Sequence, residues 1–124
     1  MYTKIKSFED ACTKLGISTQ LPDVSMLREA NQKAVIANYK LDIIQEAINA
    51  DWTADWNNYN QCKYCPWFGL SRSGVGFSCY GCVFVASLSD VGSRRVFPSR
   101  EIAKYVGQQF IDLYNDAMFI QPNL

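Results

Sequence analysis

The sequence predicts an α+β domain: two N-terminal helices, a small antiparallel sheet with a zinc-ribbon-like hairpin, and a C-terminal helix. Three observations predict it. Apolar residues recur at helical spacing before residue 50 and again after residue 99. Between these stretches, short β-branched and aromatic runs alternate with glycines at 69, 74, 76, 81 and 92. Two C-x2-C pairs, Cys62/Cys65 and Cys79/Cys82, lie in that middle stretch with 13 residues between them. The chain has 124 residues, enough for one buried core, so a single domain is expected over 1–124. Its parts are a helical stretch 1–50, an aromatic loop with the cysteine hairpin and sheet at 51–98, and a helix at 99–118.

The first helix is expected to begin at Ser7, an N-cap residue with Asp10 three positions on. Phe8, Ala11, Cys12 and Leu15 share one face, and Gly16 is a natural stop. Cys12 therefore reads as a small buried thiol. Residues 17–25 form a connector broken by Pro22, in which Asp23 or Ser25 is expected to cap the next helix. That helix is expected from about Met26 to Asn49. Leu27, Ala30, Ala34, Ala37, Leu41, Ile44 and Ile48 recur at alternating spacings of three and four. The stripe also fits a coiled-coil seam, but its three alanines favour close packing inside one domain.

Residues 51–61 carry Trp52, Trp56 and Tyr59 among turn-forming polar residues, and read as a loop whose rings fold over the core. Strands follow around Tyr64–Phe68, Val75–Phe77, Val83–Val85 and Val96–Phe97, with a reversal near Ser73-Gly74. Ser99 is expected to cap one last helix. It bears Ile102, Tyr105, Val106, Phe110, Leu113 and Ala117, with Gly107 as its weak point.

Composition removes several functions. Histidine is absent, so imidazole bases, Ser-His triads and histidine metal ligands are all excluded. No nucleophile elbow, Walker loop or dinucleotide fingerprint occurs, and no enzymatic activity is expected. Lysine plus arginine equals aspartate plus glutamate at 12 each, and no apolar run is long enough to cross a bilayer. The first residues lack the apolar core of a secretory signal, so a cytoplasmic or virion-associated location is expected.

In a reducing compartment paired cysteines hold metal more often than they form disulfides. Two short turns aimed at one point supply four thiolates, which close a tetrahedron around zinc at about 2.3 Å and leave no open position. Cys62, Cys65, Cys79 and Cys82 are thus the expected ligands of one structural Zn(2+), with iron, whose ligands are compatible, as the alternative ion. Two disulfides, a redox-active pair, or cysteines that merely fill a core are the competing explanations. The segment 61–104 carries a net charge of +4, and the rest of the chain −4. Lys63, Arg72, Arg94 and Arg95, interleaved with aromatic residues, form a candidate nucleic-acid surface, although a solvated basic face is the plainer explanation.

Trp56-Asn57-Asn58, Tyr64 with Pro66-Trp67-Phe68, Gly76-Phe77-Ser78, and Val91-Gly92-Ser93-Arg94 leading to Tyr105-Val106-Gly107-Gln108-Gln109-Phe110 form a pattern. It resembles a group of uncharacterised small proteins carried by anaerobic gut bacteria and their phages. The resemblance covers most of the chain and implies a phage or mobile-element origin. It supplies no catalytic residues. Tyrosines often stand in that group where this chain has its cysteines, which implies a fold that does not require metal. The expected role is a non-enzymatic, metal-stabilised module that binds another protein. The alternatives are a nucleic-acid-binding zinc ribbon and a structural component of a virion.

Overall fold

Every turn of the first helix is explained within four residues of itself. In the computed structural model, which describes residues 1–58, 60–71, 74–79 and 94–118 (side chains of 67–79 excepted), α1 spans Phe8–Leu15. Ser7 Oγ accepts the Asp10 N–H at 3.1 Å, and Asp10 Oδ2 accepts the Lys6 N–H at 3.0 Å. The first bond satisfies an N–H group that the helix itself leaves open, and the second ties the residue before the cap to the first turn. Gly16 closes the helix in the left-handed region at φ 70°, with its own N–H bonded to Thr13 O and that of Ile17 to Cys12 O.

The chain divides into two compact units. The first holds Met1, residues 3–48 and the segment from Phe110 onward. Its core is built from Ile5, Phe8, Ala11, Cys12, Ala37, Leu41, Ile44, Ala47, Ile48, Phe110 and Tyr114, all buried. Helix α2 spans Glu29–Asn49. Phe8 of α1 meets Tyr39 of α2 edge-on at 6.2 Å, and the Lys40 ammonium lies 5.6 Å from the Phe8 ring centroid. Lys33 and Asp116 form an ion pair at 3.5 Å.

Helix α2 starts later than its apolar stripe. Asp23 does not cap it; its Oδ1 accepts the Ser25 N–H at 2.9 Å in a local turn. A second turn follows, from Leu27 N–H to Val24 O. The first stripe positions therefore lie outside the core: Leu27 is 41% exposed and Ala30 is exposed, and full burial begins only at Ala37. The helix ends at Asn49, and Ala50 occupies the left-handed region at φ 52°.

The second unit holds Tyr2 and residues 49–109. Strands β1 (Pro66–Ser71) and β2 (Gly74–Cys79) pair antiparallel, with Pro66 opposite Cys79 and Gly69 opposite Gly76. Helix α3 (Arg100–Gln109) lies against both strands. Tyr64 and Phe97 form one isolated bridge. Val96, Phe97, Ala103, Val106 and Gly107 are buried. Asn49 Nδ2 donates to Val96 O at 3.0 Å, and Tyr2 meets Tyr105 edge-on at 5.3 Å.

The expected α+β class, with its antiparallel sheet and zinc-ribbon hairpin, is overturned. The described chain is a helical protein of four α-helices, and its extended pairing is limited to one two-stranded ribbon and one bridge. Glycines at 69, 74 and 76 interrupt both strands, and a pair of strands is too small to form a sheet layer by itself. Val96-Phe97 contributes a single bridge, from Phe97 to Tyr64. The expected strand Val83–Val85 lies outside the described residues. The single C-terminal helix is also corrected. It is interrupted at Phe110, and α4 (Ile111–Met118) begins anew there, with the N–H groups of Leu113 and Tyr114 both bonded to Phe110 O. The break follows Gly107, the poorest helix former of the segment.

Candidate functional site

The first cysteine pair is carried by a loop with its own cross-links. Asp55 N–H donates to Gln61 Oε1 at 2.6 Å, and Gln61 Nε2 donates to Thr53 O at 3.0 Å. Asn57 N–H is accepted by Asp55 Oδ1 and Asn60 N–H by Asn58 Oδ1, each bond closing a tight turn. After the loop, Tyr64 and Phe97 exchange two backbone hydrogen bonds. Cys62 sits between the loop and that bridge, and Cys65 sits between the bridge and β1. Cys62 is exposed and Cys65 half-buried.

The ladder register brings Cys79 toward the first pair. Cys79 ends β2 opposite Pro66, the residue next to Cys65. Residues opposite one another in an antiparallel pair have Cα atoms about 4.5–5.5 Å apart, so Cys65 and Cys79 share one end of the ribbon. Cys82 lies outside the described residues. Among the described residues, no three cysteine or carboxylate side chains gather into a metal-binding group, and a zinc ribbon is not what this part of the chain forms.

Lys63, within the first pair, is the site residue whose place the sequence misled most. The sequence offers it as a surface cation, a candidate for phosphate binding, but it is 2% exposed. Its Nζ donates to Asn58 O at 3.4 Å and Gln61 O at 3.2 Å, and lies 5.0 Å from the Trp56 ring centroid. Only the neighbouring Trp56 and the turn-forming Asn57-Asn58 hinted at such a cage. Of the other three cations, Arg94 is exposed, Arg95 is half-buried and Arg72 lies outside the described residues. Cys12 is buried in the first unit, and burial together with the Glu9 carboxylate holds its thiol above the ordinary range.

The first unit has a groove of about 460 Å³ lined by Ile17, Ser18, Gln20, Leu21, Pro22 and Tyr39. Leu27 and Met26, the latter 95% exposed, are further apolar side chains on this unit's surface. Among the described residues, no helix is long and apolar enough to cross a membrane. No family model, curated protein or solved structure matches this chain.

Proposed function

We propose that this protein is a non-enzymatic protein-binding module in which Cys62, Cys65, Cys79 and Cys82 hold one structural metal ion, Zn(2+) or iron. The register of the ribbon carries the reading, because it sets Cys79 beside the residue that follows Cys65. Two cysteine side chains carried by an internally cross-linked loop suit soft-metal ligation. When bound, the metal supplies a cross-link and no reaction, since four thiolates leave no open position. The protein-binding part rests on the first unit's groove and on its exposed Met26 and Leu27. A phage or prophage accessory role follows from the sequence resemblance alone. The nucleic-acid alternative loses support with Lys63, whose ammonium is spent on carbonyls and a ring inside its own loop.

Metal analysis of protein purified under reducing conditions tests the reading. One zinc or iron per chain, lost when Cys62 and Cys79 are changed to serine, is the expected result. A metal-free sample that keeps the hydrogen-exchange protection of β1 and β2 overturns it. Binding to DNA or RNA that weakens steeply with salt favours the nucleic-acid alternative instead.

A further inference from the structure

A lysine buried to this degree needs a reason. Removing an ammonium from water is costly unless its donors are satisfied. Among the described residues, the Lys63 ammonium finds its partners on one side of its own sequence: Asn58 O, Gln61 O and the face of Trp56. No carboxylate pairs with it among the described residues. Its side chain thus folds back into the loop that precedes it and ties together residues 56, 58 and 61. Gln61 doubles the tie, because its side chain bonds both Asp55 N–H and Thr53 O. On the other side, Tyr64 is held to Phe97 by hydrogen bonds of 2.9 and 2.8 Å. Cys62 therefore stands between two anchored residues, Gln61 and Lys63, and Cys65 follows a third, Tyr64.

We propose that Lys63 is a positioning residue for the first cysteine pair: it pins the 53–63 loop from inside, so that Cys62 and Cys65 are presented in place before any metal arrives. The proposal rests on the reading of these cysteines as metal ligands for its consequence, but the pin itself is made by the chain's own atoms. A side chain that orients ligands from behind changes metal affinity without touching the ion. Lys63 is neither a surface cation nor a ligand.

The test uses the full chain, reduced and metal-free, and the variant Lys63→Met, which keeps an unbranched stem one atom shorter and removes the donors. Amide exchange is followed at Asn58 and Gln61, with Ile44 of α2 as the internal control. Co(II) is then titrated and read by its thiolate charge-transfer absorption. We expect Asn58 and Gln61 to exchange about tenfold faster with Ile44 unchanged, and Co(II) affinity to fall by about tenfold or more. Unchanged exchange, or faster exchange with unchanged Co(II) affinity, overturns the proposal. If Ile44 also loses protection, Lys63→Met has unfolded the chain. Trp56→Leu, which removes the ring and leaves the ammonium, then decides by the same two readings. If the wild type shows no cobalt–thiolate band, the metal reading itself fails, and the exchange arm alone supports or overturns the pin.

Discussion

Tyr64 and Phe97 clasp each other across 33 residues of chain, with Tyr64 N–H bonded to Phe97 O at 2.9 Å and Phe97 N–H to Tyr64 O at 2.8 Å. Phe97 is fully buried, so both bonds are shielded from water on its side. The clasp ties the end of the cysteine-bearing loop to the segment that leads into α3. Truncating Phe97 to alanine should cost about 3–5 kcal/mol, as expected for a buried aromatic ring. Denaturant unfolding measures the loss, and exchange at Tyr64 N–H should accelerate with it. A cost below about 1 kcal/mol would show that the ring is not a core element of this unit.

Ala50 ends α2 at φ 52°, a conformation that costs an L-residue about 1–2 kcal/mol and glycine nothing comparable. Glycine also loses about 0.4–1 kcal/mol of unfolded-chain entropy on folding. Ala50→Gly should therefore be neutral to stabilising, by up to about 1 kcal/mol. A thermal midpoint lower than wild type would contradict this.

Cys12 makes stability depend on pH in one direction. Its buried thiol keeps its proton in the folded chain at a pH where the unfolded chain has lost it. Above that point the unfolded state binds fewer protons, so stability falls as pH rises. The contribution of Cys12 is complete below the ordinary thiol value of about 8.5 and is lost as pH climbs through the higher folded value. Cys12→Ala should flatten the decline in unfolding free energy between pH 8 and the folded value. Equal slopes for the two proteins would mean that Cys12 ionises no differently on folding.

Leu41 lies at the centre of the α2 stripe and is 2% exposed. Leu41→Ala should cost about 2–5 kcal/mol. Leu27→Ala, at the exposed start of the same stripe, should cost less than about 0.5 kcal/mol. Equal losses for the two, measured by urea midpoint, would place Leu27 in the core after all.

Local chemistry made part of this structure legible in the residues themselves. Ser7 and Ser99 cap helices because a hydroxyl reaches an N–H three positions on, at 3.1 Å to Asp10 and 3.2 Å to Ile102. Gly16 ends α1 because only glycine enters the left-handed region without strain. Cys12 is buried because its face of α1 is apolar at helical spacing. The same spacing placed Leu41, Ile44 and Ile48 in the core but also promised burial to Leu27 and Ala30, because periodicity says which face is apolar and not how far a neighbour covers it. The cysteine spacing named a candidate metal centre, and the ribbon register sets Cys79 beside Cys65's neighbour, but a single two-stranded ribbon among the described residues is less than the sheet that the runs of valine and aromatic residues suggest. Lys63 is the clearest case of what tertiary structure alone decides. Its charge reads as a surface cation in any sequence, and only the folding of residues 53–63 around it supplies the two carbonyls and the tryptophan face that let an ammonium be buried.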